Sequence, residues 1–255
     1  MKLLETKGLG IRFGGLRAIS KFDISIEENE LVGLIGPNGS GKTTFFNLLT
    51  GIYTPTEGEI LFKGKTIAGK KTYLINNQGI ARTFQNIRLF KNMSVIENVK
   101  TALHKQARYG VISGILRLGS YWRDESKLHI EAMELLDIFN MASLAEINAS
   151  SLPYGKQRQL EIVRALATHP KLLLLDEPAA GMNPSETYSL MNTIQLIKKR
   201  FDVTILMIEH DMNLVMKICQ CLVVLDYGEI IAIGEPKEIK NNPLVIKAYL
   251  GECVC

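Results

Sequence analysis

The sequence lacks any apolar run long enough to cross a bilayer, because none of its hydrophobic stretches approaches the ~18 residues that a membrane-spanning helix needs. Its first residues, Met1 to Glu5, also contain no apolar region of signal-peptide length. We therefore expect no membrane-spanning segment, and we expect any membrane association to come through a partner.

Basic residues are not concentrated along the chain, although 30 Lys and Arg against 26 Asp and Glu leave a net charge of +4. The nearest approach to a basic cluster is Lys198-Lys199-Arg200, which suits the end of a helix, where the dipole favours positive charge. The charge pattern therefore predicts no nucleic-acid partner.

Only four cysteines are present, spaced as Cys219-x-Cys221 and Cys253-x-Cys255. Neither pair has the two-residue separation typical of zinc ligands, and the final pair does not form the four-residue pattern of a prenylation site. We expect these thiols to be reduced and to have no functional role.

The remaining composition, 46% hydrophobic and 22% charged residues, is that of an ordinary globular protein. A length of 255 residues allows one large α/β domain or two small ones. We find no internal repeat and no low-complexity linker.

One glycine-rich segment, Gly36 to Thr43, follows the apolar run Leu31–Ile35 and leads into a helix-like segment from Thr44. Strand, glycine-rich loop and helix form the context in which a G-x-x-x-x-G-K-[ST] pattern binds phosphates. Backbone N–H groups and the helix N-terminus face the anion, Lys42 reaches the β- and γ-phosphates, and Thr43 takes one Mg²⁺ position. The segment therefore predicts a nucleoside triphosphate site, contacted by Asn38, Gly39, Ser40, Gly41, Lys42, Thr43 and Thr44.

Two adjacent carboxylates, Asp176 and Glu177, end a run of four leucines that reads as a doubly buried parallel strand. Asp176 is placed to hold Mg²⁺ directly or through water, while Glu177 can orient or deprotonate an attacking water. The alternative is a strand that merely ends in acidic turn residues.

Two further polar side chains follow predicted strands: Gln85 after Gly79–Phe84, and His210 after Val203–Ile208. Alone, Gln85 is an unremarkable loop residue, and a lone histidine is more often structural than catalytic. At the same sheet edge as Asp176, His210 is expected to contact the γ-phosphate. Upstream, the Phe13 ring could stack on a purine, although a lone aromatic is as often part of a core.

The middle of the chain is predicted to be mainly helical. Ser94 to Glu97 forms a capping box, Asp124–Asn140 has amphipathic helical spacing, and residues 104–123 read as a long connection or short-helix insert. A further helix is expected from about Gly155 to Ala167. We place a helical subdomain at 87–153, between the two parts (1–86 and 154–255) of an α/β nucleotide-binding core with a small antiparallel β layer.

Taken in order, these motifs resemble the ATP-binding cassette ATPases over nearly all of residues 1–255. The resemblance implies a P-loop NTPase fold with a RecA-like core, as a single cassette domain that binds ATP and Mg²⁺ and hydrolyses ATP. It assigns adenine stacking to Phe13, catalysis to Glu177, γ-phosphate sensing to His210, and a link between Mg²⁺ or water and the transmembrane subunits to Gln85. The implied metal ligands are Thr43, Gln85 and Asp176.

The resemblance also makes Leu152–Gln157 the signature turn, which completes the ATP site of the opposite subunit through Pro153, Tyr154, Gly155, Lys156 and Gln157. One position departs from the usual Leu-Ser-Gly-Gly-Gln, because Pro153 has neither a hydroxyl nor an N–H and can donate nothing to a phosphate. Gly155, the helix start and Lys156 remain to face it.

Within that family, several segments are similar to one subfamily, the ATPase subunit of branched-chain amino acid importers: Phe13–Leu16, Arg82–Gln85, Leu152–Gly155 and Glu177–Pro184. This implies an importer at the cytoplasmic face of the membrane, with a second, different ATPase subunit, two transmembrane permeases and, indirectly, an extracytoplasmic binding protein. Pairing of two identical chains is the alternative for the ATPase dimer.

Two other functions stay open at this point. One is a soluble cassette ATPase that acts on ribosomes or DNA, which usually carries two cassettes or a long coiled-coil insert. The other is a mainly regulatory nucleotide-binding subunit, against which the presence of both Glu177 and His210 argues.

Overall fold

The computed structural model describes residues 1–106 and 119–250. The predicted connection at 104–123 lies partly outside these residues, and the interpretation of Cys253 and Cys255 lies wholly outside them. Among the described residues, Cys219 and Cys221 are free thiols, and no helix combines the length and apolar character needed to cross a membrane.

The described chain alternates strands and helices. The strands are β1 (Lys2–Phe13), β2 (Leu16–Phe22), β3 (Ser25–Glu27), β4 (Leu31–Ile35), β5 (Glu57–Phe62), β6 (Lys65–Thr66), β7 (Ile80–Arg82), β8 (Leu172–Asp176), β9 (Thr204–Ile208), β10 (Cys221–Asp226) and β11 (Glu229–Gly234). The helices are α1 (Lys42–Leu49), α2 (Thr72–Asn77), α3 (Val95–Leu103), α4 (Gly119–Ile138), α5 (Tyr154–Leu166), α6 (Pro184–Arg200), α7 (Met212–Ile218), α8 (Pro236–Lys240) and α9 (Pro243–Leu250), with short 3-10 turns at His104–Gln106, Ala142–Leu144 and Ala149–Ser151.

Two compact units divide these elements: a core made of residues 1–85 and the described residues from 171 onward, and a helical unit within 86–170. The boundary differs from the expected one, because residues 154–170 group with the helical unit. The reason is the packing of α5 within that unit: Gln159 Nε2 donates to the Phe139 carbonyl (3.2 Å), and Glu161 accepts from the Arg88 N–H (3.2 Å).

The core unit contains two sheets. The antiparallel sheet has the order β2-β1-β5-β6 with β3 also paired to β1, which confirms the predicted antiparallel β layer. The second sheet has the order β11-β10-β4-β9-β8-β7, parallel except for the β10–β11 hairpin. All five residues of β4, of β8 and of β9 are buried, as expected of parallel strands covered on both faces.

Helix α1 joins the two sheets into one hydrophobic core. Its apolar side chains, among them Phe45 and Phe46, are fully buried in a cluster that includes residues from both sheets. The Phe22 and Phe45 rings lie 4.3 Å apart, between β2 and α1. The helix that follows the glycine-rich loop is therefore anchored on its apolar side. Because the loop ends where this helix begins, that end of the loop is held in place as well.

Capping boxes fix the starts of several helices. The predicted box at α3 is present, since Ser94 accepts from the Glu97 N–H and Glu97 accepts from the Ser94 N–H. Helix α6 begins in the same way, with Asn183 accepting from the Glu186 N–H at 3.0 Å and Glu186 accepting from the Asn183 N–H. Basic residues occupy the last turn of α6, as predicted for Lys198–Arg200.

We predict that N183A lowers the free energy of unfolding by about 1 kcal/mol, because the first turn of α6 loses a side-chain acceptor for an N–H group. Urea unfolding of the purified chain measures the change. The matched control is N192A, an exposed asparagine in the middle of the same helix, where alanine should be neutral or slightly stabilising. Equal stability of N183A and the unsubstituted chain would contradict the prediction.

Candidate active site

The glycine-rich loop runs from the end of β4 to the start of α1, as predicted, and its backbone depends on two glycines. Gly41 has φ +109°, and a Cβ there would lie 2.8 Å from the Ala18 carbonyl oxygen. A Cβ at Gly36 would overlap the carbonyl of Leu225. These positions therefore require glycine, because the loop is held against β2 and β10.

The loop is also hydrogen-bonded to the β10–β11 turn. Gly228 N–H donates to the Ser40 carbonyl (2.9 Å), and the Gly228 carbonyl accepts from the Ser20 N–H (2.9 Å). This turn therefore connects the glycine-rich loop to β2.

The Lys42 ammonium lies inside the loop. It donates to the carbonyls of Gly36 and Pro37, each at 2.8 Å, and lies 3.4 Å from Ser40 Oγ. Burial lowers the pKa of Lys42, and the negative charge of Glu177 opposes that shift. A cation bound to neutral carbonyls can exchange them for phosphate oxygens, which bind an ammonium more strongly.

A cleft of about 370 Å³ brings most of the predicted nucleotide residues together. The predicted residues that line it are Phe13, Asn38, Gly39, Gly41, Lys42, Thr43, Thr44 and Glu177. Ser40 belongs to the same loop but is buried and does not line the cleft. The Phe13 ring is half-exposed and forms an edge-to-face pair with Tyr53, with the ring centres 5.1 Å apart, so the exposed part of the ring can contact a base.

Asp176 is the last residue of β8 and is not among the residues that line the cleft. Its Oδ2 forms a buried ion pair with the Arg82 guanidinium at 2.6 Å, and its side chain is only 5% exposed. Arg82 also donates to Asn47 Oδ1 (2.8 Å) and lies over the Phe46 ring. The carboxylate is thereby fixed between β7, β8 and α1.

Glu177 is the point at which three predicted side chains meet. Its Oε2 accepts from Gln85 Nε2 at 2.6 Å and lies 3.2 Å from His210 Nε2. The backbone of Glu177 is left-handed (φ 47°), while its N–H donates to the Ile208 carbonyl at the end of β9 (2.9 Å). This backbone turn separates the direction of the Glu177 side chain from that of the neighbouring Asp176.

The predicted signature residues lie in the helical unit, at the start of α5. Pro153 is the N-cap residue of that helix and provides no side-chain cap, and Tyr154, Gly155, Lys156 and Gln157 form its first turn. Gln157 Nε2 donates to the Leu152 carbonyl at 2.8 Å. Burial lowers the pKa of Lys156. The first N–H groups of a helix have no acceptor within the helix, so the start of α5 can offer backbone donors in place of the N–H that Pro153 lacks.

The oxygen atoms of Thr43, Gln85 and Asp176 are of the hard type that Mg²⁺ takes. The described residues contain no group of three or more His, Cys, Asp or Glu that could hold a metal. Protein sites usually hold Mg²⁺ with one or two carboxylates together with substrate phosphates and water.

Sequence reasoning assigned no role to two buried charged residues beside the site, Arg82 and Glu209. Both were visible as charges in or directly after apolar strands, at positions where an unpaired charge is costly. Arg82 and Asp176 are 94 residues apart in sequence, and Glu209 and Ala179 are 30 residues apart. The sequence pattern alone therefore could not identify these partners.

We predict that R82A lowers the free energy of unfolding by about 3–5 kcal/mol, because it leaves the buried Asp176 carboxylate without its counter-ion. Urea unfolding measures the loss. K171A is the matched control, since its ion pair with Asp202 is exposed and its removal should change stability far less. Similar losses in the two variants would contradict a buried, position-fixing pair.

Comparison with known proteins identifies the family of the chain. Residues 19–180 match the family described as ABC transporter, and residues 229–252 match the family described as branched-chain amino acid ATP-binding cassette transporter. The chain is 45% identical to the high-affinity branched-chain amino acid transport ATP-binding protein BraF of Pseudomonas aeruginosa and 46% identical to LivG of Escherichia coli K12. Each match covers 98% of both chains.

Solved structures show the same fold. The crystal structure of the ADP conformation of MJ1267, an ATP-binding cassette of an ABC transporter, superposes with a TM-score of 0.85 at 31% identity and covers 99% of this chain and 100% of that one. A nucleotide-free ATP-binding cassette from an ABC transporter gives 0.84 at 32% identity, with the same coverage. The predicted P-loop NTPase fold is therefore confirmed, and the chain belongs to the ABC transporter family as one of its ATP-hydrolysing cassette proteins.

Proposed function

We propose that this chain is the ATPase subunit of an importer for branched-chain amino acids. One observation carries the hydrolytic part: the Glu177 carboxylate lies in the cleft that Lys42 and Thr43 line and contacts both Gln85 and His210. The transport part is supported by the names of the relatives, which are 45–46% identical along the whole chain. The match at 229–252 supports the same subfamily.

ATP binding begins with exchange at the glycine-rich loop. The Lys42 ammonium leaves the carbonyls of Gly36 and Pro37 for the β- and γ-phosphates, while loop N–H groups and the start of α1 face the same anion. The exposed face of Phe13 receives the adenine. Asn38, Gly39, Ser40, Gly41, Lys42, Thr43 and Thr44 form the phosphate cradle.

Hydrolysis uses Glu177 as the base that takes a proton from the attacking water. His210 contacts the γ-phosphate, and Gln85 orients the Glu177 carboxylate at the point where the chain leaves the core unit. Thr43, Gln85 and Asp176 are the residues that would hold Mg²⁺. When bound, the ion would neutralise negative charge on the phosphates.

Two cassettes complete one another in this proposal, with a second, different ATPase subunit as the partner and a second copy of this chain as the alternative. The first turn of α5, with Gly155, Lys156 and Gln157, faces the partner's ATP. Pro153 and Tyr154 lie at the start of this turn. Because Pro153 has no N–H, the helix N-terminus and the Lys156 charge make the contact with the phosphate.

The membrane partners are two transmembrane permeases, with an extracytoplasmic binding protein acting through them. The chain then works as a peripheral subunit at the cytoplasmic face, with residues 1–255 forming one cassette. Loss of the γ-phosphate reopens the cassette dimer, and Gln85 connects that change to the helical part of the chain.

We predict that E177Q binds ATP but hydrolyses it at least 10²-fold more slowly, because an amide cannot take the proton from water. Steady-state phosphate release and binding of a fluorescent ATP analogue measure the two properties. The matched control is E59Q, an exposed glutamate on β5, which should retain normal turnover. Turnover of E177Q within a few fold of normal would remove Glu177 from the role of base.

We predict that the tagged chain, purified in mild detergent from its own cells, brings down two multi-span permeases and a second cassette ATPase. Mass spectrometry identifies them, with cells that express the tag alone as the control. Radiolabelled leucine, isoleucine or valine uptake should depend on the chain. Recovery of ribosomal or DNA-repair proteins, with no membrane protein, would be compatible with ATP hydrolysis by this chain but would exclude a role in an importer.

A further inference from the structure

Glu209 follows β9 directly and is only 1% exposed. Among the described residues, its carboxylate accepts hydrogen bonds from three backbone N–H groups. We propose that Glu209 is a positioning residue for ATP hydrolysis, which fastens the loop after Glu177 to the segment that carries His210. The inference rests on the proposed roles of Glu177 and His210.

The two carboxylate oxygens of Glu209 bind on different sides. Oε1 accepts from the Ala179 N–H at 2.7 Å, and Oε2 accepts from the His210 N–H at 3.1 Å and lies 3.5 Å from the Asp211 nitrogen. The first bond reaches the loop after β8, and the other contacts stay within the segment after β9. One side chain therefore bridges the ends of two neighbouring parallel strands.

Two hydrogen bonds, one of them formed by Glu209, hold the loop that carries Glu177 on either side of its contact with His210. On one side of it, the Glu177 N–H donates to the Ile208 carbonyl at 2.9 Å. On the other side, the Glu209 carboxylate holds the N–H of Ala179, two residues after Glu177. With the loop attached at both points, Glu177 Oε2 and His210 Nε2 are kept 3.2 Å apart.

A carboxylate is the side chain that this position requires. Burial raises the pKa of Glu209, and the N–H groups of Ala179, Asp211 and His210 oppose that shift because they favour the anion. Glutamine has the same shape, but its amide nitrogen would face the N–H of either Ala179 or His210. Donor would then meet donor, and one of the two segments would be released.

We predict that E209Q lowers kcat for ATP by about 10- to 10²-fold while KM for ATP stays within about twofold, because displacement of catalytic groups slows chemistry without touching the phosphate cradle. Phosphate release by the full-length chain gives kcat and KM, and the fluorescent analogue gives binding. E59Q is the matched control, because Glu59 is an exposed residue of β5.

E209D keeps the negative charge but shortens the side chain, which withdraws the carboxylate from the Ala179 N–H by roughly 1.5 Å, the length of one carbon–carbon bond. It should also lose kcat with an unchanged KM, and it replaces E209Q in the test if E209Q does not fold. Parallel assay of E177Q distinguishes the two proposals. Normal kcat in a folded E209 variant, with E177Q inactive, would overturn the positioning role alone, whereas normal turnover of E177Q would overturn the proposed function first.

Discussion

The site depends on the parallel pairing of β4, β9 and β8, whose carboxyl ends meet at one edge of the sheet. The register pairs Leu34 with Ile208 and Asp176 with Ile208, so the residues that follow all three strands begin at nearly the same level. Burial of every residue in these strands fixes the register, since a shift would move polar ends into the core. The phosphate loop, the acidic pair and His210 are therefore brought together by the sheet.

Charged groups near this edge are held in two ways. The Arg82–Asp176 pair is buried and tied to α1 through Asn47, which gives one carboxylate a fixed place. At the cleft, Lys42 and Glu177 are held by carbonyls, an amide and an imidazole. These weaker contacts can be exchanged when a phosphate arrives. The buried ion pair therefore holds Asp176 in place, whereas Lys42 and Glu177 can change partners when ATP binds.

The sequence was sufficient wherever function follows from a local pattern. The Gly36–Thr43 loop, the acidic pair after four leucines and the Ser94 capping box each combine residue type with a recognisable element, and each lies where it was expected. The contacts of Gln85 and His210 with one oxygen of Glu177 could not be derived, because 92 residues separate Gln85 from Glu177. Only the strand order brings these residues together.

Buried charges and the unit boundary were harder to anticipate for the same reason. Glu209 reads as the polar end of a strand until Ala179 is seen beside it, 30 residues away in sequence. Helix α5 has an ordinary helical pattern, and its place in the helical unit depends on the contacts of Gln159 and Glu161 with Phe139 and Arg88. Sequence pattern predicts elements well, whereas these assignments required tertiary contacts.

The central claim is that one cleft aligns the γ-phosphate of ATP with Lys42, residue 177 and His210. A crystal structure of E177Q with ATP and Mg²⁺ tests this most directly. The account predicts that Lys42 Nζ has left the carbonyls of Gly36 and Pro37 for phosphate oxygens, with residue 177 and His210 beside the γ-phosphate. A bound ATP whose γ-phosphate lies away from both side chains, with Lys42 still on the loop carbonyls, would contradict it.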